Sequence, residues 1–221
     1  MEIQLTQTEE NYLKSIYSLE LSSSKNVSTT LLAKKMKTKA SSVTDMIKKL
    51  ADKDFVDYKK YRGVSLTKGG NTIAVKIVRK HRLWEVFLVN KLEYSWDEVH
   101  EIAEQLEHIK SDTLIDKLEE FLEFPTHDPH GDPIPDKEGN IEHHKNIMLS
   151  SVKVENSCKI IGVKDSSSEF LKYLDSKNIH LGSIVKVISK EVFDNSITIE
   201  INKQLLSISH QISKNLFVKI L

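Results

Sequence analysis

Four residues between Val99 and Asp112 carry side chains able to do chemistry: His100, Glu104, Glu107 and His108. At about 100° per residue on a helix, they fall within roughly a third of the circumference. Val99, Ile102, Leu106 and Ile109 take the opposite side. Upstream, in IVRKHRLWEVFLV, His81 and Glu85 stand at i and i+4. Imidazole nitrogens and carboxylate oxygens suit divalent first-row metals, and crowded carboxylates repel one another until a cation arrives. Spacing alone leaves two readings open: the solvated faces of two amphipathic helices, or two halves of a metal site. Other polar clusters read as structural. His127, Asp128, His130 and Asp132 are interrupted by prolines and Gly131, which suggests a crossover with exposed polar side chains, and His143 and His144 read as a solvated linker pair. Trp84 and Trp96 are expected to pack at the helix pair, and Cys158, the single cysteine, to be a small core residue.

The elements that must position these groups follow from periodicity. Residues 6 to 22 have helical apolar spacing through Tyr12, Leu13, Ile16, Tyr17 and Leu19. Ser28 can cap a short second helix, and SSVTDMIKKL a third with Val43, Ile47 and Leu50 inward. FVDYKKYRGVSLT reads as two short strands turning at Arg62-Gly63. Thr67 can cap a helix over about 68 to 91, and Ser95 another over 96 to 109, with a sixth over 112 to 123. All four prolines then fall between Pro125 and Pro135. After about residue 150 the texture alternates, as in SIVKVISKE, SITIEINK and LFVKIL, with one helix in EFLKYLDSKNI.

The net charge of zero hides a division. From Lys25 to Arg82 there are sixteen Lys and Arg against four Asp, and from Leu83 to Glu142 seventeen acids against four Lys. A polyanion is the expected partner of the first block and cations of the second. Two short helices, a tight turn and a β-hairpin make the winged helix-turn-helix plan. Its second helix would enter the major groove through Ala40, Ser41, Ser42, Val43 and Thr44. Lys39, Lys48, Lys49, Lys59, Lys60 and Arg62 would meet phosphates. One cysteine allows no intramolecular disulfide. The N-terminus shows no basic segment followed by an apolar one, and no apolar run nears the roughly 18 residues of a membrane span, so a cytoplasmic protein is expected.

The collinear order TEENYLKSIY, SSVTDMIKKL, YRGVSLTKGG, RKHRLWEVFL, EVHEIAEQLEHIKSD and HGDPIP resembles the metal-dependent repressors of the diphtheria toxin repressor family, which includes a manganese-sensing branch. The resemblance covers about residues 5 to 140 closely, and the tail is similar, more loosely, to the SH3-like (FeoA-like) third domain of longer members. It implies a mainly α fold with β in three parts. These are a winged helix-turn-helix domain at 1–70, a helical metal-binding and dimerisation domain with its crossover at 71–147, and a small SH3-like β-barrel at 148–221. It further implies a primary metal site from Glu104, Glu107, His108 and Asn11, and an ancillary one from His81, Glu85, His100 and Glu169. Ser166 stands where longer iron-sensing members have a carboxylate.

Two departures bear on the metal. Iron-type members place a cysteine where this chain has Glu104, and a carboxylate there favours a hard ion such as Mn²⁺ over Fe²⁺. Manganese-type members usually carry acids at the positions of Asn11 and Lys14, so two separated sites are expected here instead of one close two-metal centre. The resulting expectation is a manganese-responsive repressor, binding a palindromic operator as a homodimer. An iron-responsive repressor is the alternative. A metallohydrolase stands behind it, because two Glu and a His around an ion could activate water, but no dedicated general base accompanies them.

Overall fold

The computed structural model describes residues 4–22, 26–59, 62–141 and 147–221. Lys60 and the pair His143 and His144 lie outside the described residues. In chain order the elements are α1 (Gln7–Ser22), α2 (Thr29–Lys35), α3 (Ala40–Asp52), β1 (Val56–Lys59), β2 (Gly63–Leu66), α4 (Lys68–Leu92), α5 (Val99–Leu106) and α6 (Asp112–Phe121). Then come β3 (Ile147–Met148), β4 (Ser157–Val163), α7 (Ser168–Ser176), β5 (Ile184–Lys190), β6 (Ile197–Ile201), β7 (Gln204–Ile208), α8 (His210–Ser213) and β8 (Leu216–Ile220). They form two compact units, Met1–His81 with Glu104–Ile115 and Pro135–Ile141, and Arg82–Ala103 with Asp116–Ile134 and Glu142–Leu221.

In the first unit the helix starts are written in the sequence. Thr6 Oγ1 accepts from the Glu9 amide and Glu9 Oε2 accepts from the Thr6 amide, a reciprocal capping box for α1. Ser28 caps α2 through the Leu31 amide, and Thr67 caps α4 through that of Gly70. At the start of α3, Lys39 offers no side-chain cap bond. Leu13 and Ile16 of α1, Leu32 of α2, and Val43, Ile47 and Leu50 of α3 are fully buried in one core with Val64, Ala74 and Val78. Strands β1 and β2 pair antiparallel from Val56–Leu66 to Lys59–Gly63, and Val27 bonds Val64 in both directions, fastening the hairpin to the head. Gly63 has φ +92°, and a Cβ there would come within 2.6 Å of the Val27 carbonyl oxygen, so only glycine serves.

Helix α5 is shorter than its periodicity predicts. It ends at Leu106, where the Ile109 amide turns back to the Leu106 carbonyl in a tighter bond. Glu107 and His108 therefore leave the polar stripe and turn inward, while His100 and Glu104 stay about half exposed.

In the second unit the six strands form one antiparallel sheet in the order β3-β8-β4-β5-β6-β7, with β3 and β7 as its ends among the described residues. Alternation points Ile197, Ile199 and Ile201 of β6 and Val185 and Val187 of β5 into a core shared with Leu171 and Leu174 of α7. Cys158 is fully buried in that core. The pairing of β4 with β8 slips between Ile160 and Gly162, and there the proline-rich loop meets the sheet. The Val163 amide donates to the His130 carbonyl at 2.9 Å, and a Cβ on Gly131 would sit 2.4 Å from Gly162 Cα. No helix among the described residues is long and apolar enough to cross a membrane.

Candidate metal centres

Glu10 and Lys14 lie one turn apart on α1, on the polar side left by Tyr12, Leu13 and Ile16. Both reach the turn that follows α5. His108 Nδ1 donates to Glu10 Oε2 at 2.5 Å, an assignment that leaves Nε2 with its lone pair available. Glu107 Oε2 takes two donors, Lys14 Nζ at 2.7 Å and His81 Nδ1 of α4 at 2.6 Å. Lys14 also reaches Glu104 Oε1 at 3.5 Å. Burial resists ionisation of Glu107, but the His81 bond and the Lys14 ammonium outweigh it and hold the carboxyl below its ordinary range.

One atom is left over. Glu107 Oε1 is buried without a hydrogen-bond partner and lies 3.9 Å from His108 Nε2. A buried carboxylate oxygen rarely goes unsatisfied. An oxygen and an imidazole nitrogen at this separation fit a divalent ion bound between them. The carboxylate–imidazole pair of Glu10 and His108 is the support such a ligand takes. The family resemblance implies Asn11 as the α1 ligand. The structure leaves Asn11 half-buried on α1, and its neighbour Glu10 is the residue on His108. The i, i+4 spacing of Glu10 and Lys14 was the signal available for it.

The second centre corrects an expectation. Asp128 and His130 are not exposed crossover residues: both are buried, as is Glu85 of α4. Ligand atoms of the three lie within 4.8 Å of one another. Two amides, of His130 and Asp132, donate to Asp128 Oδ1 at 2.8 and 2.9 Å, which curls the loop and turns its side chains inward; Arg82 Nε stands 3.5 Å from Oδ2. His130 Nε2 meets the Trp96 carbonyl at 2.8 Å, so Nε2–H donates there and Nδ1 is presented to Glu85 Oε2, 3.7 Å away. The Trp96 ring stacks on the imidazole, and its Nε1–H donates to Asp175 of α7, so Trp96 is a hydrogen-bonding strut as well as a packing residue.

Burial, the Glu85 charge and Asp132 push Asp128 up to about 7, against Arg82 and His130. Burial alone would lower His130, but Glu85 and Asp128 with the Trp96 bond raise it to about 9. Without a metal, His130 therefore joins Arg82 as a positive group in this acidic pocket. Nitrogen and carboxylate donors free of sulfur suit a hard divalent ion.

The remaining expected residues are placed as follows. His100 Nδ1 lies 3.3 Å from Glu85 Oε1 at the edge of the second centre. Glu169 is exposed in the first turn of α7 and belongs to neither cluster. His127 is exposed. On α3, Ser41, Ser42 and Lys48 are exposed, with Lys39 before them and Arg62 at the hairpin tip. Thr44 is half-buried and returns its hydroxyl to the Ala40 carbonyl at 2.9 Å.

Comparison with known proteins agrees along the whole chain. Residues 4–64 match the iron-dependent repressor N-terminal DNA-binding domain, 67–136 the iron-dependent repressor metal-binding and dimerisation domain, and 147–220 the FeoA domain. An uncharacterized HTH-type transcriptional regulator of Methanocaldococcus jannaschii is 38% identical over 119 residues, 54% of this chain and 95% of its own. The iron-dependent repressor IdeR of Mycobacterium tuberculosis is 31% identical over 132 residues, 60% of this chain and 57% of its own. Among solved structures, a manganese-dependent transcriptional repressor in complex with manganese superposes with a TM-score of 0.86 at 34% identity, covering 96% of this chain and all of that one. The manganese regulator SloR gives 0.78 at 33% identity, over 98% and 100%. All of these relatives are named as transcriptional regulators or repressors, and the hydrolase alternative falls with them. The chain belongs to the iron-dependent repressor family, which includes the diphtheria toxin repressor, and is a metal-dependent, dimerising, DNA-binding transcriptional repressor.

Proposed function

We propose that this repressor responds to manganese in the cytoplasm and controls genes of metal-ion homeostasis, binding a palindromic operator as a homodimer. Its parts are a DNA-reading head at about 1–70, a metal and dimerisation region at 71–147 and a C-terminal domain at 148–221. The observation that carries the reading is the unsatisfied Glu107 Oε1 beside His108 Nε2, in a centre of oxygen and nitrogen donors with no sulfur. Glu104, Glu107 and His108 would hold one ion, and the family resemblance suggests Asn11 of α1 as a further oxygen donor. Glu85 would hold a second ion with Asp128 and His130, while His100, His81 and Glu169 are the further donors that family resemblance suggests. A bound ion supplies positive charge that gathers these groups. The residues themselves tie α1 to the turn after α5.

On the DNA side, Ser41, Ser42 and Thr44 at the start of α3 would read bases, and Lys39, Lys48, Lys60 and Arg62 would meet phosphates. The lack of a side-chain cap at Lys39 supports this reading, because an open helix N-terminus attracts phosphate. The relatives named for iron favour a second reading, an Fe²⁺ sensor, for which the absence of a sulfur ligand speaks less well. Titrating Mn²⁺ and anaerobic Fe²⁺ against operator binding tests both. Mn²⁺ should activate at the lower concentration, and His108→Ala should abolish activation. Activation by Fe²⁺ alone would overturn the manganese reading.

A further inference from the structure

Glu9 and Glu10 are neighbours in the first turn of α1, and they engage different parts of the protein. Glu10 holds His108 Nδ1. Glu9 Oε1 instead takes Lys53 Nζ at 2.6 Å and Lys49 Nζ at 3.2 Å, the first from the residue that caps the C-terminus of α3 and the second from its last turn. Its other oxygen closes the capping box on the Thr6 amide at 2.8 Å. A capping-box glutamate needs only its own helix end, and one on the surface would serve. This one is fully buried, and a buried carboxylate persists only when paired. The pairing draws the far end of the DNA-reading helix onto the turn that touches His108.

We propose that Glu9 is a positioning residue that carries occupancy of the His108 centre to α3 through the first turn of α1. This rests on the reading of His108 as a ligand. With a cation on Nε2, Nδ1–H becomes a stronger donor, so Glu10 is held harder and the first turn of α1 loses freedom. The capping box makes that turn one rigid piece, and Lys49 and Lys53 seat α3 against it. Coupling of this kind is reciprocal: DNA seated on α3 tightens metal binding by the same factor that metal tightens DNA binding.

The test uses the full chain, Mn²⁺, and a duplex selected from a random pool by the Mn²⁺-loaded wild type, with a scrambled duplex as control. Lys53→Met and Glu9→Gln should leave Mn²⁺ affinity without DNA, and duplex affinity without Mn²⁺, within about threefold of wild type. The gain in selected-duplex affinity on adding Mn²⁺ should fall at least about fivefold, the lower edge of ordinary couplings. Lys53→Arg, which keeps the cation, should retain most of the gain. An undiminished gain in both variants overturns the proposal, as does an equal loss with and without Mn²⁺, which would mean that the contact only stabilises the head. If Glu9→Gln does not fold, Lys53→Met decides alone. His108→Ala separates the two levels. Wild-type Mn²⁺ binding and gain in that variant would remove the ligand reading, whereas their loss beside an intact gain in Lys53→Met would remove the relay only.

Discussion

Lys14→Met should make the His108 centre bind its metal more tightly while making the metal-free protein less stable. The Lys14 ammonium is 2.7 Å from Glu107 Oε2 and already neutralises part of the charge that an ion on Oε1 would use. Adding a metal–oxygen bond of about 2.2 Å puts such an ion roughly 6 Å from Nζ. Repulsion between charges of +2 and +1 at that distance is about 1.4 kcal/mol at the dielectric of water and about 5 kcal/mol at an effective value near 20. Glu104 on the rim is half exposed, so the lower part of that range applies, a gain of about tenfold to a hundredfold in affinity. Without metal the balance reverses. Glu107, with no exposed side-chain surface, would keep His81 but lose its ammonium, at a cost of about 3 kcal/mol. Calorimetric titration with Mn²⁺ measures the first effect, and thermal melting with and without Mn²⁺ the second. A folded Lys14→Met protein binding Mn²⁺ no better than wild type would refute the idea that Lys14 competes for this carboxylate.

Burial opposes the charge on Glu9, yet Lys53, the Thr6 amide and Lys49 hold its carboxyl down at about 2 against an ordinary 4.5. Its folded pKa is depressed, so the stabilisation is present above about pH 4.5 and is lost as pH falls toward 2, on the order of 2 kcal/mol. Urea midpoints of wild type and Glu9→Gln should therefore differ at pH 7 and converge only as the pH approaches 2. His130 is raised to about 9, so a metal at the second centre must expel its proton, and affinity there should weaken as pH falls. Calorimetry in buffers of unlike ionisation enthalpy should find about one more proton released per ion in wild type than in His130→Ala. Arg62→Ala should weaken binding to all duplexes and flatten the salt dependence, whereas Ser42→Ala should change preference among duplexes. Equal losses on selected and scrambled DNA from both variants would count against that division.

The head was legible because local signals and packing agree there. Ser28 and Thr67 cap where their types say they should, and Val43, Ile47 and Leu50 bury the face that their spacing marks. The sites were legible only in part. Helical periodicity identified the stripe from His100 to His108 but carries no information about where the helix stops, and Glu107 and His108 turn inward because they lie beyond its end. Asp128 and His130 looked exposed because prolines and glycine mark loops. Their burial comes from a backbone contact with Gly162 and from Glu85, both distant in sequence. Glu10 escaped notice because the resemblance marks its neighbour Asn11, and one residue along a helix, about 100°, changes the surroundings entirely. Strand β7, QLLSI, escaped notice because only Ile208 of its five residues is buried.

The bond from the Val163 amide to the His130 carbonyl makes one donor of the second centre an outpost of the β-sheet. Dissecting the chain would therefore mislead. A fragment ending at residue 141 retains Glu85, Asp128 and His130 in its sequence, but it lacks the strand against which the loop is pinned and the Asp175 that braces Trp96. Such a fragment could fold, dimerise and bind operator while reporting a different ion stoichiometry from the intact protein. Metal counts measured on truncated preparations would thus describe the first centre alone.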